Sequence, residues 1–83
     1  MEAKNEILTN QVCALLAAAL RVDPSFVSPQ TEFGDLPEWD SMGHMEVMVE
    51  LEKQFNVEIN TDTITELVSV AAICKHIEEN PHA

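Results

Sequence analysis

Three residues of this 83-residue chain could do chemistry by type and spacing: Asp40, Ser41 and His44, in "WDSMGHMEV". An acid, a hydroxyl and an imidazole invite comparison with a hydrolytic triad. That reading fails on geometry, because a working triad places the histidine between serine and acid, with oxyanion donors facing a cleft. Here Asp40 and Ser41 are neighbours, and no glycine-rich strand-to-helix elbow surrounds them. His44 then reads as a core-edge or surface residue.

Two further chemistries remain for Ser41. A serine or aspartate at a helix start is ordinarily an N-cap, and spacing alone favours that role for Asp40 or Ser41. The same position also suits an anionic ester. Backbone N–H groups are unpaired there and the helix dipole favours negative charge, although Asp40 pushes the other way. Phosphorylation as a switch is one variant of that idea.

The elements that must position these residues follow from periodicity. Leu8, Val12, Leu15, Leu16, Ala19 and Leu20 recur at spacings of three and four, which predicts an amphipathic helix over about 5–20. About twenty residues then carry Pro24, Pro29, Pro37 and Gly34, which break any helix. Val22, Phe26, Val27, Phe33, Leu36 and Trp39 are the expected anchors of an ordered loop laid across a core. A second helix is expected from Ser41 to Phe55, ended by Asn56, a residue tolerant of left-handed backbone. An extended "NVEIN" drops Val57 and Ile59 inward. A helical stub follows, with Thr63 and Glu66 at capping-box spacing. Ser69 then caps a last helix bearing Val70, Ile73, Cys74 and Ile77, which Pro81 closes. The whole chain, residues 1–83, reads as one all-α domain, a small bundle whose short later connections make its helices near neighbours.

Turned at about 100° per residue, the second helix shows two apolar faces. Val47, Met48, Leu51 and Phe55 share a core arc, while Gly43, Glu50 and Gln54 point to water. Beside Ser41 runs a separate strip of Met42, Met45 and Val49, edged by Glu46, Glu52 and Lys53. It is either a wide buried face or an exposed docking patch of adaptable methionines ringed by carboxylates.

The formal charge of −11 disfavours nucleic acid and anionic membrane and points to basic protein partners. "VCALLAAAL" has Glu2 and Glu6 ahead of it with Lys4 the only base, a poor cationic leader. No stretch is long enough to cross a bilayer. Cys13 and Cys74 lack metal or CxxC spacing and fall at apolar helical positions, as buried free thiols in a reducing compartment would. The expectation is a cytoplasmic monomer without metal.

The segment "WDSMGHMEVMVELEKQFNVEI" resembles the attachment segment of acyl carrier proteins, in which Asp-Ser-Leu or Asp-Ser-Met opens the second helix. "TEFGDL", the Ile59 connector, the stub and the last helix fall in matching order. The resemblance implies a four-helix bundle with a long first loop and a short third helix, and no catalysis of its own. It implies that a phosphopantetheinyl transferase places 4′-phosphopantetheine, from coenzyme A, on Ser41. The thiol would then carry acyl groups as thioesters among loading, elongating or transferring enzymes with basic patches. Asp40, Met42, Met45, Glu46, Val49 and Glu52 fall at docking positions by the same resemblance.

Departures from the housekeeping pattern are visible too. Pro37-Glu38-Trp39 precedes Asp40, Gly43-His44 follows Met42, and Lys53 interrupts an acidic run. They favour a specialised carrier for a fatty-acid, lipid or polyketide pathway. Asp-Ser-Met-Gly is also reminiscent of aminoacyl carriers such as the D-alanyl type. An unmodified acidic helical adaptor is the rival reading.

Overall fold

Among the described residues, four helices form largely where the apolar periodicity places them. The computed structural model describes the backbone of residues 2–79 and the side chains of residues 6–79. Helix α1 spans Glu2–Leu20, α2 Ser41–Phe55, α3 Thr61–Glu66 and α4 Val70–Glu79. A single 3₁₀ turn, Pro24–Phe26, interrupts the long loop after α1. Among the described residues there is no strand, only an isolated antiparallel bridge between Glu32 and Ser69. The protein is an all-α bundle. The expected closure of α4 by Pro81 lies outside the described residues.

Core formation follows burial of the helical stripes. Val12, Leu15 and Leu16 of α1, Val47, Met48 and Leu51 of α2, and Val70 and Ile73 of α4 are all buried. Each such side chain contributes roughly 1.5–3 kcal/mol when removed from water. Packing runs through α1, which lies against both α2 and α4, so the first helix is the hub. Nearness in sequence among the later helices is the weaker organiser.

Backbone turns and side-chain caps mark several of the element boundaries. Arg21 takes the left-handed conformation (φ 60°) and stops α1, while the Val22 N–H donates back to the Ala17 carbonyl at 3.0 Å. Asn56 does the same after α2 (φ 60°), its N–H donating to Glu52 and the Val57 N–H to Leu51. The capping box of α3 is made by Asn60 and Thr63, each side chain accepting the other's backbone N–H at 2.9 and 3.0 Å. This corrects the Thr63/Glu66 expectation by one turn: Thr63 sits at the third helical position and Asn60 caps. Ser69 Oγ accepts from the Ala72 N–H at 3.0 Å, as expected for the start of α4.

The long loop is fastened rather than loose. The Phe33 N–H donates to the Val68 carbonyl at 2.8 Å, and the Val70 N–H to the Thr31 carbonyl at 3.1 Å. Val27 and Trp39 are buried anchors, and Val22 and Leu36 are half-buried. Phe26 is not an anchor: it stands 64% exposed on the 3₁₀ turn that Asp23 caps. That turn points it outward, whatever its hydrophobicity.

Candidate functional site

The start of α2 is organised around Asp40, not Ser41. Asp40 has extended backbone and is the N-cap, its Oδ1 accepting the Gly43 N–H at 2.9 Å. Its carbonyl accepts the His44 N–H at 2.7 Å. The capping role is therefore filled by the residue before, and Ser41 is the first helical residue, exposed to solvent. A hydroxyl there is free for substitution, and the positive end of the helix faces an anion attached to it.

Behind the serine lies a buried polar clasp. Trp39, fully buried, donates its indole N–H to His44 Nδ1 at 3.0 Å. The indole is a donor only, so Nδ1 is the acceptor and the ring hydrogen sits on Nε2. His44 Nε2 donates in turn to the Ile64 carbonyl at 2.8 Å. That carbonyl belongs to the last turn of α3, where helix geometry leaves the acceptor without an intrahelical partner. Phe33 packs edge-on against both rings, at centroid distances of 6.2 Å to Trp39 and 5.7 Å to His44.

His44 thus differs from its sequence reading. At 5% exposure it is neither surface nor core edge but part of the interior. The signal was present in the spacing: His44 stands three, four and seven residues before Val47, Met48 and Leu51, on the core arc itself. Its polarity concealed the assignment. Gly43 is the second correction. It does not point to water, because a Cβ there would collide with the Glu38 carbonyl oxygen and come within 2.9 Å of Leu20 Cδ2. The glycine lets the loop backbone lie against the first turn of α2.

The strip beside Ser41 is open. Met42 is 81% and Met45 43% exposed, Val49 is half-buried, and Asp40, Glu46 and Glu52 are exposed around them. By helical register Met42, Met45, Glu46, Val49 and Glu52 share one side of α2, with both methionines exposed, while Asp40 stands at its N-terminus as the cap. Lys53 is turned toward Glu50, at 3.9 Å. Glu50 is half-buried and accepts from Gln54 at 3.2 Å.

The cysteines stand apart from this site. Both are free and only half-buried, less sheltered than expected, with the Cys74 thiol donating to Thr9 Oγ1 at 3.8 Å. Burial pushes both thiols above their usual range; Cys74 adds to the effect on Cys13, and Glu78 to that on Cys74. Among the described residues no helix is long and apolar enough to cross a membrane, and no cluster of side chains could hold a metal ion.

Residues 10–77 match the family described as "Phosphopantetheine attachment site". The chain is 34% identical over 73 residues to the acyl carrier protein of Helicobacter pylori (strain J99 / ATCC 700824), covering 88% of this chain and 94% of that one. It is 34% identical over 74 residues to the acyl carrier protein of Thermosynechococcus vestitus (strain NIES-2133 / IAM M-273 / BP-1), covering 89% and 90%. A similarity of 28% over 87 aligned positions relates it to the meromycolate extension acyl carrier protein of Mycolicibacterium smegmatis (strain ATCC 700084 / mc(2)155), covering 100% and 88%.

Proposed function

This chain belongs to the phosphopantetheine-attachment family of acyl carriers, and from that premise we propose that Ser41 is the residue bearing the 4′-phosphopantetheine arm. The protein is a carrier and not an enzyme; the arm, once attached, supplies the thiol that holds an acyl group as a thioester. One observation supports Ser41 above all: Asp40 takes the capping role, leaving an exposed primary hydroxyl at the positive end of α2. That setting fits a phosphodiester, since the helix terminus favours the anion while the hydroxyl has no structural duty to give up.

Carriers of this kind work with a phosphopantetheinyl transferase and with acyl-handling enzymes. For this chain we place the docking surface on Met42, Met45 and Val49, rimmed by Asp40, Glu46 and Glu52. Exposed methionines repack against different partners at little cost, and the carboxylates steer basic patches toward them. The net charge of −11 argues for such partners and against nucleic acid. In this reading the whole chain acts as one carrier domain, a cytoplasmic monomer. Its pathway is a specialised fatty-acid, lipid or polyketide one, supported by the departures around Ser41 and the similarity to a carrier of meromycolate extension.

The test is intact mass. Co-expression with a broad-specificity phosphopantetheinyl transferase adds one arm to the wild type and none to Ser41→Ala, whose helicity is unchanged. A wild-type chain that stays unmodified, or a Ser41→Ala chain that still gains the arm, overturns the assignment.

A further inference from the structure

We propose that Trp39 and His44 are positioning residues for Ser41. Their side-chain hydrogen bond staples the loop to the first turn of α2 and so fixes where the hydroxyl is presented to the modifying enzyme. The proposal rests on the Ser41 reading above.

Ser41 follows two residues that leave its backbone little freedom. Trp39 is engaged at three polar atoms. Its N–H donates to the Leu36 carbonyl at 3.0 Å, its carbonyl accepts the Gly34 N–H at 3.3 Å, and its indole donates to His44 Nδ1 at 3.0 Å. Asp40 is engaged at two acceptors, Oδ1 taking the Gly43 N–H at 2.9 Å and the carbonyl taking the His44 N–H at 2.7 Å. An ordinary N-cap needs only the Asp40 bonds. The indole bond is additional: it joins residues five apart, with Asp40 and Ser41 inside the span, and both of its partners are buried. Loop and helix start are thus tied into one piece, with Ser41 exposed on it.

The two ring bonds of His44 make different ties. Nδ1 faces the loop entry, whereas Nε2 donates to the Ile64 carbonyl at 2.8 Å, part-buried, and links α2 to α3. Only the first spans the serine. Core packing alone would ask less of the indole, because any buried acceptor satisfies its N–H. Here the acceptor belongs to the turn that carries Ser41. Group transfer to a hydroxyl depends steeply on placement, a shift of about 1 Å costing up to about 10²-fold in rate. Recognition through Met42 and Met45 does not pass through this bond. Losing the staple should therefore slow transfer and leave docking in place.

The test modifies the full apo chain with a broad-specificity phosphopantetheinyl transferase in excess, single turnovers being followed by intact mass. Each titration gives a maximal rate and a half-saturating transferase concentration. A wild type that accepts no arm, or a Ser41→Ala chain that accepts one, overturns the attachment reading before any variant is compared. Trp39→Phe keeps a ring and loses the donor. His44→Gln sets an amide nitrogen near the Nε2 position, keeping the Ile64 bond and losing the acceptor. Both are expected to lower the maximal rate at least about five-fold, with half-saturation changed less than about two-fold. The double variant is expected to fall no further than either single one. His44→Asn sets an amide oxygen near the Nδ1 position and is expected to restore the rate, although it gives up Ile64. Val47→Ala, a buried truncation three residues on, destabilises without touching the bond and is expected to keep the maximal rate. The proposal is overturned if folded Trp39→Phe reacts at the wild-type rate, if half-saturation shifts instead, if His44→Asn and His44→Gln fall alike, or if Val47→Ala slows transfer equally. Should Trp39→Phe fail to fold, amide relaxation NMR of the wild type decides alone. Order parameters from Asp40 to Gly43 that match those from Val47 to Leu51 support the staple, and lower ones refute it.

Discussion

The two ends of α2 are closed by different means. At the first turn, an aspartate cap, a buried indole–imidazole–carbonyl chain and a bare glycine hold the backbone from three sides. At the last turn, a single left-handed asparagine redirects the chain beside a recess of about 220 Å³. The side-chain hydrogen bonds that tie α2 to the loop and to α3 lie at the end where the exposed serine stands. With Ser41 as the proposed attachment residue, partner enzymes would meet a well-anchored helix start beside the exposed methionines.

Truncating the clasp should break the contrast most severely. Trp39→Ala empties a fully buried site and orphans His44 Nδ1, and a loss of about 3–5 kcal/mol in urea unfolding is expected. A loss below that of an ordinary surface substitution would mean the indole does not organise the first turn. Paired alanines at the two ends sharpen the comparison. Gly43→Ala forces Glu38 or Leu20 aside and should cost about 1–3 kcal/mol. Asn56→Ala keeps a left-handed residue without a tolerant side chain and should cost about 1–2 kcal/mol. The same denaturation experiment reads both, and the reverse order would show that the last turn is the tighter one. The smallest effect is kinetic. Glu46→Lys reverses a charge on the open strip; it should slow modification by a transferase several-fold at low salt, with helicity unchanged, and the difference should shrink as salt screens the surface. Equal rates at low salt would remove that carboxylate from the docking surface.

Most of the framework was legible in the sequence because it rests on apolar spacing. The stripes of α1 and α4 and the bounds of α2 follow from positions that recur every three or four residues, and Asn56 announced the end of α2 by its type. What escaped depends on particular partners. Arg21 ends α1 in a left-handed conformation that nothing in an arginine foretells. Phe26 reads as an anchor by its type, yet hydrophobicity says nothing about which way a 3₁₀ turn will face. His44 was on the core arc yet read as peripheral, because its burial is tolerable only with Trp39 and the α3 carbonyl in place, and spacing cannot reveal a hydrogen-bond partner twenty residues away. The serine's context was legible as a motif; that Asp40, and not Ser41, performs the capping required coordinates.

The backbone pairing of Thr31 and Phe33 with Val68 and Val70 joins stretches from opposite halves of the chain. Closing the long stretch of chain between them costs entropy that grows only slowly with its length, so the pairing adds a tie across the sequence that the helical stripes alone do not supply.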